Sequence, residues 1–499
     1  MRHARLVTGA LPLRRAAGIS SGPLVCYVVV CACCFAVVAT LGGRTVDQTA
    51  IEILCITFAV VVASALWTWW WVARTLFDPY ALFLLSLTLF NGGQLLLQMV
   101  GLNPDGILGG RFSNEILLTS GTMALCGVAF CHIGALLAAL WPVRVRPAPC
   151  SGSAHAQALR MAGWALLAVS IVPYMMLTRS AMQTRAAAGY MALYERGADK
   201  GTGVAAGPEA LATFMIPAAL LLLGGAQGRT REKYVALAVV FGAFATQIML
   251  GYRSTAIMPL CAFAWLWNRC EGKIRLSVLI AAALALLTII PFVNATRNSS
   301  LTEQSDARIE ESSGAHHPFV EAIREMGGSL IATAYTVSLV PDVRPFDRGQ
   351  SYFYALLTAM PNLFWDIHPS IARGTLSSWL IWTVDPYTAR NHGGLGFACV
   401  AEAFLNFGVL GVCGVMALIG FGMGRMVTWA TRSADLRALA MTATFSAFVL
   451  RLPRDESVSL LRMLLWYSWM PYALTYCIGA FAATPRMAPS RWRDALRFR

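Results

Sequence analysis

Four arginines stand where apolar stretches of the chain begin or end. Arg253 follows one stretch in Gly-Tyr-Arg-Ser, Arg297 ends another in Asn-Ala-Thr-Arg, and Arg390 and Arg451 lie beside two more. A guanidinium group is always charged and binds phosphate through paired hydrogen bonds. Because the four groups look unpaired, they favour a phosphate or pyrophosphate site. The alternative is that each extends to a polar surface or pairs with a carboxylate such as Asp455.

A glycine-rich segment at 390–408 combines a histidine with a carboxylate. His392 is followed by three glycines within four residues, and glycine lets the backbone come close to a ligand. Glu402 and Asn406 are four residues apart, which places them on one face of a helix. Imidazole, with a pKa of about 6.5, can take a proton from a hydroxyl group, so His392 is a candidate general base and Glu402 a second one. The alternative is that His392 caps local structure and Glu402 is a buried, paired or neutral carboxyl.

Other polar residues give weaker indications. His316 and His317 could ligate a metal with Glu321, and Asp366 could act with His368, but such groups are more often solvated or structural. The chain has no nucleotide-binding glycine loop and no dinucleotide-binding motif. The sequence therefore indicates no metal, no cofactor and no nucleotide-driven step.

The elements that must position these residues are membrane-spanning helices. Of the 499 residues, 57% are hydrophobic and 13% charged, against roughly 25% charged in a soluble domain. This composition excludes intrinsic disorder and argues against a soluble globule. A span needs about 20 mostly apolar residues. The sequence predicts an all-α polytopic protein with about twelve spans, at 24–41, 50–73, 79–100, 114–141, 160–178, 209–227, 233–251, 253–269, 275–293, 397–424, 434–450 and 460–483.

The lysines and arginines indicate an orientation in the membrane. The net charge is +14, and the short loops and tails that hold most basic residues fall on the cytoplasmic side if the N-terminus is inside. Both termini, including the basic tail 484–499, are then cytoplasmic. The basic surface predicts contact with anionic lipid headgroups rather than with nucleic acid. The cysteines lie mainly in apolar stretches and are predicted to be packing residues rather than disulfide partners.

Two long loops lie on the outer side in this orientation. One spans 179–208 within the first unit, 1–293, and the other spans 294–396, ahead of the last three helices at 397–483. Loops of that length are usually functional or contain elements of their own. The larger loop has apolar, aromatic segments too short to cross a bilayer, which predict interfacial or re-entrant helices. These segments are 351–365 and 376–384.

The pattern resembles bacterial O-antigen polymerases of the Wzy type, which are related to the O-antigen ligases. The resemblance rests on the helix number, the large outer loop, Gly-Tyr-Arg-Ser at 251–254 and His-Gly-Gly-Leu-Gly-Phe…Ala-Glu-Ala-Phe-Leu-Asn-Phe-Gly at 392–408. In sequence it covers mainly 250–430. Gly393 follows the histidine where the ligases usually carry asparagine, so this chain departs from the ligase pattern there.

The resemblance implies a glycosyltransferase of the bacterial inner membrane that works without a metal. Its donor would be a growing glycan on undecaprenyl pyrophosphate, and its acceptor a single repeat unit on a second such lipid. A chain-length regulator and a flippase of the same pathway are the implied protein partners. The implied roles are pyrophosphate binding for Arg253 and Arg297, assistance or binding of the second lipid for Arg390 and Arg451, deprotonation of the acceptor for His392 or Glu402, and a glycan groove for the aromatic segment 351–382.

Other functions remain open from the sequence. The nearest enzyme is an O-antigen ligase, which differs in its acceptor. A lipid-linked glycan flippase or other transporter would usually show internal repeats and broken helices at the midplane, and neither is evident. A metal-using glycosyltransferase with a lipid-linked donor would need an acidic pair in its first outer loop, where residues 42–49 offer only Asp47. A membrane acyltransferase lacks a clear nucleophile.

Overall fold

The computed structural model is built from α-helices throughout the part of the chain that it describes. That part comprises residues 20–41, 46–143, 152–189, 192–193, 206–275, 277–282, 284–285, 318–360, 362, 365–391, 393–433 and 435–483. Within these ranges no β-strand occurs. The predicted all-α class is therefore confirmed for the described residues.

The first four helices form one packed group. They are α1 (Gly22–Leu41), α2 (Gln48–Ala73), α3 (Pro79–Met99) and α4 (Asn114–Leu140). Short polar side chains cap their first turns, as the free backbone N–H groups there require. Asp47 accepts from the N–H of Ala50 at 2.9 Å, and Asp78 accepts from the N–H of Ala81 at 2.9 Å.

The next five helices form a second group. They are α5 (Gly152–Ala188), α6 (Ala206–Thr213), α7 (Met215–Gly225), α8 (Thr230–Leu250) and α9 (Arg253–Cys270). The helix α5 continues ten residues past its predicted end at 178, so the prediction of a loop from 179 is wrong there. Its last turns run on through Thr184 and Arg185, where helix-compatible alanines follow and no glycine or proline stops the helix before Gly189.

Six short helices fill the described part of the predicted large loop. They are α10 (Pro318–Gly327), α11 (Leu330–Leu339), α12 (Gln350–Leu357), α13 (Pro369–Arg373), α14 (Leu376–Val384) and α15 (Pro386–Arg390). The helices expected in the aromatic segments are thus present, as α12 and α14. The helix α10 lies close against α3, because a Cβ at Gly327 would stand 2.5 Å from the backbone nitrogen of Gln94.

The last helices are α16 (Cys399–Arg432), α17 (Leu436–Val449), α18 (Ser457–Leu464) and α19 (Met470–Ala483), with a π-helical turn at Leu465–Trp469 between the last two. The helix α16 packs along α4 at a distance that only glycine allows. A Cβ at Gly420 would lie 1.8 Å from the carbonyl oxygen of Cys131, and one at Gly134 would lie 2.0 Å from that of Ala417.

Two hydrophobic cores hold the helices together. The first lies among α1 to α4, α11, α14 and α16, and the second lies among α5, α7, α8 and α9, with α19 packed against it. The helix α17 contributes to both, since Val449 is in the first core and Ala443 in the second. The end of α17 is therefore fixed relative to both cores, and it leads directly to Arg451.

Eight helices of the described chain are long and apolar enough to cross a membrane. The expected number of about twelve is not confirmed. The helix α17 has 14 residues, which at 1.5 Å per residue gives about 21 Å, short of the ~30 Å apolar layer. The predicted span at 460–483 is divided by the π-helical turn. Most of the predicted span at 275–293 lies outside the described residues.

Candidate functional site

The long helix α16 is interrupted near its beginning. Phe407 and Gly408 have non-helical backbone angles, with φ 64° and ψ −152° at Gly408. The interruption frees carbonyl groups of the preceding turn. Those of Leu405 and Asn406 accept the backbone N–H groups of Asp347 and Arg348 at 3.0 and 3.1 Å. The break therefore joins α16 to the loop segment that precedes α12.

The 450–459 connection, which joins α17 to α18 and includes the first three residues of α18, is fixed from several sides. The Ser86 hydroxyl on α3 donates to the carbonyl of Leu450 at 2.8 Å, and the Asn91 amide on the same helix donates to that of Pro453 at 3.1 Å. Within the connection, Asp455 accepts from the Ser459 hydroxyl at 2.7 Å. These bonds hold the segment that carries Arg451.

Arg451 is ion-paired within this connection. Its Nε donates to Oδ2 of Asp455 at 2.9 Å, and Nη2 donates to the same oxygen. The side chain of Arg451 is partly exposed, at 27% of its surface. Among the described residues none accepts from Nη1, so this nitrogen can still donate to a ligand. The expectation of an unpaired Arg451 is wrong, and the pairing with Asp455 follows from their i, i+4 spacing.

Glu402 is buried in the first turn of α16, with 1% of its surface exposed. One carboxyl oxygen accepts the backbone N–H of Ser457 at 2.8 Å, and the other accepts the Ser457 hydroxyl. Two helices, α16 and α18, thus begin beside this carboxyl group, and the positive ends of their dipoles would stabilise its ionised form. Both carboxyl oxygens are engaged.

Glu456 also accepts hydrogen bonds from the first residues of a helix, in this case α14. Its carboxylate accepts the N–H groups of Leu376 and Ser377 at 2.8 and 3.2 Å, and the hydroxyl of Ser377 at 3.1 Å. Burial raises its pKa to about 7, although the two backbone N–H groups act to lower it, and the nearby charges of Glu402 and Asp455 raise it further. The helix α14 leads through α15 to Arg390, so Glu456 links the 450–459 connection to the 390–408 segment.

Arg253 begins α9 immediately after a tight reversal. Gly251 ends α8 with φ 88°, a conformation that favours glycine. The guanidinium of Arg253 forms two hydrogen bonds with the carboxylate of Glu325 on α10, one of them at 2.7 Å from Nη1 to Oε2. The expectation that Arg253 is unpaired is therefore also wrong. Its partner lies 72 residues away in the chain, which sequence spacing does not reveal.

The other candidate residues are only partly described. Arg390 ends α15 and is exposed. Arg297 and His392 lie outside the described residues, as do His316 and His317. His368 is buried at the start of α13, where its ring accepts the backbone N–H of Ser370 at 3.3 Å, so it acts there as a helix cap.

A cavity of about 450 Å³ lies where α8 ends and α9 begins, between helices of the second group and the 450–459 connection. It is named the polar cavity for its hydroxyl, amide and charged lining residues, although most of its surface is apolar. Its walls combine hydroxyl, amide and carboxylate groups with apolar surface. Arg451 lines the cavity from the 450–459 connection. The polar lining residues include Thr178, Thr184, Glu209, Thr213, Gln247, Tyr252 and Thr255.

An apolar cleft of about 530 Å³ lies on the other side of the same connection. It follows α16 from Glu402 to Met423 and is closed at one end by Glu402, Ser457 and Tyr352. Leu452, the residue after Arg451, lines this cleft. The 450–459 connection therefore lies between the polar cavity and the apolar cleft, and its Arg451 lines the polar cavity.

The aromatic segment 351–382 contributes little to either cavity. Tyr352 lines the apolar cleft, whereas Arg373 stacks on Tyr354 at 4.8 Å and Arg344 stacks on Trp379 at 4.4 Å. These aromatic faces are occupied by arginines of the same chain. Phe353 and Trp382 of the same segment are exposed, so a glycan groove there stays a prediction.

The family of the chain follows from a comparison over its whole length. The sequence model of the family described as O-antigen polysaccharide polymerase Wzy matches residues 24–482. The chain belongs to this Wzy family. No curated protein and no solved structure gives a significant match. With its apolar helices, this Wzy family member is a multi-pass membrane protein of polysaccharide biosynthesis.

In this Wzy polymerase, sequence reasoning missed several residues that organise the site. Ser457, Glu325 and the α3 residues Ser86 and Asn91 have no chemical motif around them, and their roles depend on partners far along the chain. The one available signal was the closely spaced Asp-Glu-Ser run at 455–457 after an arginine.

Proposed function

We propose that this protein is a glycosyltransferase that joins undecaprenyl-pyrophosphate-linked repeat units into O-antigen or a related surface polysaccharide. The observation that carries the proposal is the position of Arg451 between a polar cavity and an apolar cleft. A lipid-linked glycan has the same order of parts, with an apolar chain, a charged pyrophosphate and a hydroxyl-rich saccharide. The polyprenyl chain would lie in the cleft along α16.

The reaction transfers the glycan from its pyrophosphate to the acceptor. The acceptor hydroxyl attacks the anomeric carbon of the donor, the bond from that carbon to the pyrophosphate oxygen breaks, and the lipid pyrophosphate leaves with the electron pair. Arg451 and Arg253 would stabilise the charge that develops on the leaving oxygen. Arginine suits this role because it remains protonated and can bind two phosphate oxygens.

The remaining candidates take supporting roles in this proposal. His392 would accept the proton of the acceptor hydroxyl, and Arg297 and Arg390 would bind the pyrophosphate of the donor or of the second lipid. Glu402 acts as a positioning residue, because both of its oxygens already accept hydrogen bonds from Ser457. It would hold the 450–459 connection, and through it Arg451, in place.

The reaction would take place on the periplasmic face of the bacterial inner membrane, with both termini in the cytoplasm. The orientation is inferred from the basic residues in the short loops. The loop unit 294–396 would then cover the site between the helices of 1–293 and those of 397–483. A flippase would deliver the repeat units, and a chain-length regulator would act on the product.

Polysaccharide banding on a gel tests the proposal. A strain that lacks this gene would be complemented with the wild-type protein, Arg451→Ala or Arg454→Ala. Arg454 is the matched control, because it belongs to the same connection but is exposed and lies over the ring of Phe90 at 5.9 Å. We expect Arg451→Ala to lose the ladder and keep a single repeat unit on lipid A core, while Arg454→Ala keeps the ladder.

Two other outcomes would contradict the proposed reaction or the proposed role of Arg451. Loss of the single-unit band in the deletion strain would indicate a flippase or a ligase instead of a polymerase. A normal ladder in Arg451→Ala, at wild-type protein levels, would retain the polymerase and reject Arg451 as a pyrophosphate ligand.

A further inference from the structure

The polar cavity has the chemistry of a saccharide site. Its volume of about 450 Å³ lies in the range of ~300–1,000 Å³ that is typical of small-molecule sites. Thr213, Gln247 and Glu209 line it together with apolar residues such as Met215 and Met258. The Thr213 hydroxyl donates to the backbone carbonyl of Glu209 at 2.8 Å, and its oxygen can still accept from a ligand. Sugar rings present hydroxyl groups at their edges and C–H groups on their faces, and these walls offer partners for both.

The orientation of Gln247 is fixed by a neighbour. The Thr255 hydroxyl donates to Oε1 of Gln247 at 3.1 Å. This bond uses the acceptor end of the amide, so its Nε2 group remains a donor for a ligand oxygen. Glu209 provides acceptor oxygens in the same cavity. A donor and an acceptor at separate positions on the wall are what discrimination between sugar hydroxyls requires.

Arg451 determines which part of the glycan would lie here. The same cavity is lined by Arg451, which the proposed function assigns to the pyrophosphate. A saccharide that reaches the cavity while its pyrophosphate contacts Arg451 must be the sugar joined directly to that pyrophosphate.

We infer that the polar cavity binds this pyrophosphate-linked sugar and that Glu209, Gln247 and Thr213 determine which sugar is accepted. The inference rests on the proposed function, since it takes the pyrophosphate position from it. It differs from the glycan groove expected at 351–382, and it adds a specificity site to a helix group that holds only one residue of the proposed catalytic machinery, Arg253.

The test compares two lipids that differ only in the glycan. Purified protein in lipid nanodiscs would be titrated with undecaprenyl pyrophosphate and with the lipid-linked repeat units that accumulate in the deletion strain. We expect Gln247→Leu and Glu209→Gln each to weaken binding of the glycan-bearing lipid roughly three- to tenfold, as the loss of one hydrogen bond predicts. Binding of bare undecaprenyl pyrophosphate should not change. Arg451→Ala should weaken binding of both lipids.

Gln183→Leu is the matched control, because Gln183 is an exposed glutamine near the end of α5 that does not line the cavity. Thr213→Val is a second cavity variant in case one of the others fails to fold, and elution as a single species would check folding of each. Equal affinity of a cavity variant and the wild type for the glycan-bearing lipid would overturn the inference, as would equal losses for both lipids. Failure of the wild-type protein to bind either lipid would instead reject the proposed function.

Discussion

Glu402 accepts both hydrogen bonds that Ser457 can donate, one from the backbone N–H at 2.8 Å and one from the hydroxyl. The two residues are 55 positions apart, and their contact ties the first turn of α16 to the first turn of α18. Arg451 and Asp455 lie just before Ser457. The position of the Arg451 guanidinium therefore depends on Glu402, which does not contact it.

This relationship separates a positioning role for Glu402 from a catalytic one. Glu402→Ala removes both acceptors of the half-buried Ser457, so we expect the loss of two hydrogen bonds to lower the free energy of unfolding by about 1–3 kcal/mol. Glu402→Gln keeps an acceptor for the N–H, and its amide can donate to the Ser457 hydroxyl. We expect Glu402→Gln to retain the polysaccharide ladder and most of the thermal stability. Loss of the ladder in a stable Glu402→Gln protein would identify Glu402 as the general base.

The ion pair between Arg253 and Glu325 can be tested by exchanging its charges. The two side chains are 13% and 33% exposed. As an ion pair alone, they contribute at most about 1 kcal/mol to the free energy of unfolding. We expect Arg253→Glu to abolish the ladder and the double variant Arg253→Glu/Glu325→Arg not to restore it, because a phosphate ligand must stand at the start of α9. Glu325→Gln alone should retain the ladder. Restoration by the double variant would mean that the pair is only structural.

Glu456 gives the stability of the protein a defined pH dependence. Its pKa rises from about 4.5 to about 7 on folding because the carboxyl is buried. The folded state therefore holds a proton that the unfolded state has lost, and this contribution to stability falls as the pH rises from about 4.5 to about 7. We expect the difference in melting temperature between the wild type and Glu456→Gln to change over this interval and to be constant above it. A constant difference from pH 4.5 to 7 would contradict the assignment.

We expect the break in α16 to require glycine at position 408 but not at position 414. Gly408 has φ 64° and ψ −152°, a region that is almost restricted to glycine, so we expect Gly408→Ala to cost about 1–3 kcal/mol. Gly414 lies in the same helix with no atom near the added Cβ, and Gly414→Ala should be neutral or stabilising by up to about 1 kcal/mol. Thermal melting of both variants in detergent provides the comparison. Equal melting temperatures would show that the break is not a strained feature.

The local features of this fold could be predicted from the sequence, whereas its long-range contacts could not. Apolar stretches located the long helices, because that signal lies within one segment. The i, i+4 spacing also made Asp455 a candidate partner for Arg451. Glu325 pairs with Arg253 only because α10 packs on α3 and reaches the start of α9, and no pattern in the sequence encodes that distance.

The site itself was predictable in composition but not in arrangement. Arg253, Arg451 and Glu402 are recognisable in the sequence because charged groups in apolar surroundings are costly and therefore often functional. The two cavities arise from four or more helices each. Residues such as Gln247 and Thr213 have no feature in the sequence that distinguishes them from ordinary helix residues. Their significance comes from lining the same cavity as Arg451.

The hydrogen bonds from α3 to the 450–459 connection affect which substitutions a genetic screen would recover. Ser86 and Asn91 donate to Leu450 and Pro453, more than 360 positions further along the chain. A screen for loss of polymer in cells would therefore recover substitutions at these two residues together with those at Arg451. Such a screen maps the supports of the site as well as its ligands, so a cluster of hits early in the sequence would not indicate a second active centre.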